Sequence, residues 1–277
     1  DEPTTTAEMP RTIKADPALS GRLVKAANTV QFNGRRPVAA VPEAIVVLGM
    51  ATVRQLALGF SLVSDYRSGK CDGFDYDGFW SRSLVTALAL QGIITRVRVA
   101  VPEECFLLGL LSRIGCLALA TVYPEEYGQL LTTHGARSVS ELAYSEKVAF
   151  ATDHNELTAA LLDDWGLPAV LVEPALHHEE PARGKFVEGS RGFVLAHALH
   201  LATYLADLCL APKPARAALL PNLFLLGTRI ALDAEKVAAI ADEAICNWEH
   251  WARLLEVSEP PVHSLADLAS EPEVEAV

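Results

Sequence analysis

Apolar residues recur three and four positions apart along most of this chain, with polar residues between them, a periodicity that predicts helices and no strands. The densest stretch is 103–120, EECFLLGLLSRIGCLALA, where almost every residue after the opening Glu pair is apolar except Ser112 and Arg113. Leu107, Leu108, Leu111, Ile114, Ala118 and Leu119 form a continuous stripe, so a single helix is predicted here, covered on nearly all faces by its neighbours. Arg113 is the anomaly in it. A guanidinium in such a setting needs an acceptor or an anion, because an unpaired buried charge costs several kcal/mol, roughly.

The remaining helices follow from their punctuation. Asp16-Pro17 reads as an N-cap followed by Pro at the first helical position, with Leu19, Leu23, Ala26, Ala27 and Val30 on one face and Asn33-Gly34 as the stop. A second helix runs from Pro42 to Gly49 and a third from Thr52 to about Ser64, carrying Val53, Leu56, Ala57 and Phe60 inward. Residues 66–77 read as a loop, and Phe79-Trp80 opens a helix to about Val97. Tyr123-Pro124 ends the central helix, and Leu130, Leu131, Val139, Leu142 and Val148 are the expected core of the segments that follow. Asp153 caps the next helix, with Glu156 three positions on reaching back as in a capping box. A helix after Leu167-Pro168 delivers His177 and His178, and 193–210 is a long apolar helix. Beyond Pro212 and Pro214, helices are expected near 219–226 and 233–255, with Trp248 and Trp251 in the core, and then an acidic linker or tail.

Length and composition set the limits. The chain of 277 residues, 51% hydrophobic, is long enough to bury a sizeable core. Its formal net charge of -12 argues against a generic nucleic-acid binder. Six of those charges, Glu256, Glu259, Asp267, Glu271, Glu273 and Glu275, follow Arg253 without a Lys or Arg to offset them. The five cysteines show no CxxC spacing and read as reduced thiols of a cytoplasmic protein. No secretory signal is visible, and the longest apolar stretch, interrupted by Arg113, falls short of a bilayer span. The helices on either side of Gly49 have the layout of a helix-turn-helix, but only Arg54 and Gln55 are offered for contacts, so core packing is the preferred reading.

The segment LLGLLSRIGCLAL resembles the central helix of the HD superfamily, Leu-Leu-His-Asp-Ile-Gly-Lys-Leu, whose His-Asp pair holds a catalytic metal; Ser112 and Arg113 stand where that pair would be. Residues 153–178, DHNELTAALLDDWGLPAVLVEPALHH, resemble the second half of the same core, and DPALSGRLVKAAN resembles the N-terminal signature of the HD-related output domain family, HDOD. The resemblance runs from about Asp16 to about Leu210. It implies a multi-helix N-terminal part, 1–68, packed on a degenerate HD-type helical core, 69–211, followed by C-terminal helices, 212–258, and the acidic stretch 259–277.

The resemblance also implies where a metal site would have been: Arg82, Ser112, Arg113, His154, His177, His178 and Thr203, with Asp153 beside them. A two-metal phosphohydrolase needs imidazole and carboxylate ligands, and guanidinium groups, which do not deprotonate, repel the cations. No cofactor and no metal are expected; if one binds, His154, His177 and His178 are its ligands. Two readings of Arg82 and Arg113 stay open: a pocket that receives a small anionic ligand, or internal pairing, for Arg113 with a carboxylate such as Asp153. The function implied is a non-catalytic bacterial signalling module working through contacts with signalling proteins, in some relatives a GGDEF-type output domain. A metal phosphohydrolase acting on nucleotides or cyclic dinucleotides and a DNA-binding regulator are the alternatives.

Overall fold

A computed structural model describes residues 17–30, 37–134, 139–258 and 262–269. Its regular elements are helices throughout. In chain order they are α1 (Pro17–Val30), α2 (Val41–Leu48), α3 (Met50–Asp65), α4 (Tyr76–Val97), α5 (Pro102–Leu111), α6 (Ile114–Val122), α7 (Pro124–His134) and α8 (Val139–Phe150). There follow α9 (His154–Asp164), α10 (Ala169–Leu176), a 3-10 turn (Pro181–Gly184), α11 (Arg191–Leu210), α12 (Lys213–Thr228), α13 (Ala234–Leu255) and α14 (Leu265–Ala269). The expected stop at Asn33-Gly34 and the cap at Asp16 lie outside the described residues.

Helix α4 is the axis of the bundle and packs against α5, α11 and α13. Asp75 caps it by accepting from the Gly78 N–H at 2.9 Å, and Trp80 donates its indole N–H to the Tyr66 carbonyl at 2.8 Å. At the α4–α5 crossing, a Cβ on Gly109 would lie 2.6 Å from the Ala87 Cα, so the two backbones meet with no room for a side chain. From α13, Trp251 enters between the N-terminal helices and the core: its ring centroid is 5.8 Å from Phe60 of α3 and 5.1 Å from Phe106 of α5. Lys25 of α1 caps the other side of that indole at 4.6 Å, and burial lowers its pKa to about 8. One apolar core therefore runs from α1 to α14, with Trp248 and Trp251 inside it as expected.

The stretch predicted as one helix over 103–120 is two. Arg113 leaves helical geometry (φ -123°, ψ 21°), the Ser112 hydroxyl donates to the Gly109 carbonyl at 2.9 Å, and α6 starts at Ile114. Just beyond the break Gly115 lies against α9: its N–H donates to Thr158 Oγ1 at 2.9 Å, and a Cβ there would sit 2.1 Å from the His154 carbonyl oxygen. Apolar periodicity persisted through the break, which is why it was not visible in the pattern.

Asp153 caps α9 as expected, and Glu156 reaches back to the Asp153 backbone while also pairing with Lys147 and the Thr152 hydroxyl. Two smaller expectations are corrected. Val148 is exposed on α8. Part of the stretch taken for a tail is folded: Val262 and Leu268 are buried, and α14 packs on α12 and α13. The stretches Pro102–Val122 and Arg191–Leu210 have the length and composition of membrane spans, yet 78% and 61% of their apolar windows are buried inside the protein.

Candidate functional site

The break between α5 and α6 aims Arg113 at the segment after α10, where its Nη1 lies 3.0 Å from Glu179 Oε1. The other oxygen of Glu179 accepts from His154 Nε2 at 3.0 Å and from the Asn155 side-chain amide at 2.8 Å. On the far side of the imidazole, His154 Nδ1 meets Glu146 Oε2 at 2.5 Å, and the same oxygen accepts the His154 backbone N–H at 2.9 Å. Tyr127 completes the chain by donating its hydroxyl to Glu146 Oε1 at 2.8 Å. Four helices and one loop thus converge on a buried line of alternating charge: Arg113, Glu179, His154, Glu146.

The charges hold one another in place. Burial would strip the proton from His154, but its buried neighbours, with the hydrogen bonds to Glu146 and Glu179 among them, outweigh it and hold the imidazole pKa well above its ordinary range. Burial would likewise protonate Glu179; the Arg113 guanidinium and then His154 overcome that and keep it ionised. Tyr127, buried beside Cys116 and Glu146, has its hydroxyl pushed up and remains a donor.

Arg82 does not join this line. It pairs with Asp207 on α11, and both guanidinium groups border a cleft of about 400 Å³ that Cys116 and Tyr127 also line. His178 is fully buried; its Nδ1–H donates to the Ala175 carbonyl at 2.6 Å, its carbonyl accepts from His200 Nδ1 at 2.8 Å, and its Nε2 has no hydrogen-bond partner among the described residues. Burial lowers its pKa to about 4, so the ring is neutral. His177 faces a second cleft of about 580 Å³ and lies edge-on to Phe186 at 6.0 Å, so the triad of His154, His177 and His178 proposed as metal ligands is not assembled.

Of the other expected positions, Ser112 and Thr203 are turned onto their own helices; Thr203 Oγ1 donates to the Leu199 and His200 carbonyls at 3.1 and 2.9 Å. Asp153 serves the α9 N-terminus at 2.9 Å, and Arg113 takes Glu179 where Asp153 was the named example. Sequence reading missed Glu146, Glu179, Tyr127, Cys116 and Asp207. For Glu146 a signal existed, because it lies on the same stripe as Leu142 and Phe150, four residues from each, so a carboxylate was placed on the inward face of α8. Asp207 lies one turn beyond Thr203 and restores a carboxylate to α11, spent on Arg82.

A metal pair of the HD type does not fit these side chains. The positions implied for its ligands carry two guanidinium groups, each already holding a carboxylate, and two hydroxyls bonded to backbone.

The family model for the HDOD domain matches residues 1–181. The chain is similar to the MmoQ response regulator of Methylococcus capsulatus str. Bath, with 39% identity over 87% of this chain and 90% of that one and a TM-score of 0.58. It also shares its fold with an HDOD domain protein of unknown function from Geobacter sulfurreducens, with 19% identity, coverage of 92% and 88%, and a TM-score of 0.64. No curated protein sequence matches it.

Proposed function

Because this chain belongs to the HDOD domain family, we propose that it is a non-catalytic regulatory module of bacterial signal transduction, acting through contacts with other signalling proteins. The similarity to a response regulator supports the signalling part. One observation supports the non-catalytic part: Glu179 joins the Arg113 guanidinium and the His154 imidazolium, each at 3.0 Å, as a bridging carboxylate would join two metal ions. Two organic cations occupy the electrostatic role of the ions and neither can activate a water. Five free cysteines support a reducing compartment such as the cytoplasm.

A small anionic ligand is a weaker reading of the cleft between Arg82 and Arg113, since an anion entering there must displace Asp207 or Glu179. The partner class is a signalling protein, a GGDEF-type output domain being one case. The DNA-binding alternative rests on Arg54 and Gln55, whose side chains lie outside the described residues. The deciding experiment is hydrolysis of a generic phosphodiester, bis(p-nitrophenyl) phosphate, by the purified chain with added manganese or ferrous iron. No turnover above buffer is expected; turnover that disappears in His154→Ala would establish the phosphohydrolase reading instead.

A further inference from the structure

On the Nδ1 side of the His154 ring, Cys116 of α6 and Glu146 of α8, neither of them an implied HD ligand position, join His154 of α9 to offer a sulfur, a carboxylate oxygen and a ring nitrogen that all lie within 4.8 Å of one another, every one of them buried. We propose that these three residues form a binding site for a thiophilic divalent transition metal, zinc in the first place, that clips α8 to α6 and α9. The inference goes beyond the signalling reading and is tested independently of it.

Thiolate, imidazole and carboxylate are the donor types zinc takes, with bonds of about 2.0 to 2.3 Å, which put tetrahedral ligands roughly 3.3 to 3.6 Å apart. The His154 Nδ1 to Glu146 separation of 2.5 Å must widen and the longest of the three must close, movements that side-chain rotation supplies. The surroundings are already built for a ligating histidine. If Nδ1 takes the metal, Nε2–H keeps its bond to Glu179 at 3.0 Å, and Glu179 is itself fixed by Arg113 and Asn155. A carboxylate behind the imidazole is the outer partner that orients metal-binding histidines. Arg113 Nη2 sits 4.0 Å from the Cys116 sulfur, so the guanidinium borders the site on its sulfur side. The Tyr127 hydroxyl, bonded to Glu146 at 2.8 Å, holds that carboxylate beside the site, and the fourth position of a tetrahedral ion is left to a water.

Charge and protons balance. Without metal, Arg113 and protonated His154 offset Glu146 and Glu179, with Cys116 as a thiol. Binding breaks the S–H and Nδ1–H bonds, forms bonds from the metal to sulfur, nitrogen and oxygen, and releases two protons, so the incoming charge of two is matched and the cluster remains neutral.

Helix α8 has the most to gain. Its main packing partners are α7 and α9, and Glu146 is its one fully buried charged side chain among the described residues. Metal would therefore govern whether α8, with the exposed Tyr144 and Val148 on its outer face, stays docked.

Cobalt(II) titrated into the metal-free full chain tests this, because cobalt reports tetrahedral geometry and thiolate ligation in its absorption spectrum. One equivalent is expected to bind with a sulfur charge-transfer band that is lost in Cys116→Ser and weakened in Glu146→Gln, and retained when the exposed Cys246 is changed to Ser. Circular dichroism of the metal-free variants, matching the unsubstituted chain, checks that they fold. No cobalt spectrum in the unsubstituted chain, or the same spectrum in Cys116→Ser, overturns the proposal and leaves the cluster a purely hydrogen-bonded one.

Discussion

Glu179 and Arg113 face each other at 3.0 Å with about seven-eighths of each side chain out of solvent, 12% and 14% exposed, and the pair spans the break between α5 and α6. Removing one partner strands the other charge, which costs about 3 to 5 kcal/mol, whereas replacing both by apolar groups is far cheaper. Arg113→Met and Glu179→Met are each expected to destabilise the fold by an amount in that range, and the two together by less than the sum. Urea denaturation of the four members of the cycle measures it; a double change that costs the full sum of the single ones would contradict the pairing as a source of stability.

Stability should fall on both sides of neutrality. His178 is neutral when folded, with its pKa lowered from 6.5 to about 4, so the unfolded chain binds the extra proton first and stability declines as pH falls from 6.5 toward 4. That shift alone is on the order of 3 kcal/mol by linkage. Glu179, whose pKa is lowered in the fold by Arg113 and His154 against burial, adds to the loss at more acidic pH. His154 works in the opposite direction: its raised pKa gives stability that is complete below its ordinary pKa and disappears as pH rises through the folded value. Cys105 and Cys209, pushed up to about 12 chiefly by burial, bring a further decline above pH 9. Thermal melts across pH should show the acid limb softened in His178→Phe.

The contact of α6 with α9 can be tested by one methyl group. A Cβ on Gly115 would lie 2.1 Å from the His154 carbonyl oxygen, while one on Gly21 in α1 meets nothing within 4 Å. Gly115→Ala is expected to cost about 1 to 3 kcal/mol or more through overpacking, and Gly21→Ala to stabilise by about 0.5 to 1 kcal/mol through helix propensity. Chemical denaturation of the two variants would refute the packing argument if they behaved alike.

Leu268 is fully buried on the short α14, inside the stretch whose composition reads as a tail. Leu268→Ala should destabilise by about 2 to 5 kcal/mol, the cost of emptying a core leucine site. A change within a few tenths of a kcal/mol would mean that α14 does not share the cooperative core.

The helical class, most helix boundaries and the inward positions of Phe60, Trp248 and Trp251 were legible because each depends on local spacing and caps. The break at Arg113 was not, since apolar spacing continues through it, and the α9 residue that Gly115 meets just beyond it is more than forty residues away in sequence. The site was half legible. The resemblance singled out Arg113 and His154, which the fold joins through Glu179, and the need of a buried guanidinium for an anion follows from electrostatics alone. Which anion answers it depends on how the loop after α10 comes back over α6 and α9, and local spacing carries no record of that return. Glu146 was legible in hindsight, from its place on an apolar stripe.

The pairing of Arg82 with Asp207 and of Arg113 with Glu179 has a consequence for descent. On the non-catalytic reading proposed above, giving this pocket a metal pair would require exchanging both guanidinium groups for ligands. Each exchange made alone leaves a carboxylate stranded, most severely at Glu179, before any ion can be held. The two ion pairs thus act as a ratchet against single exchanges at these positions.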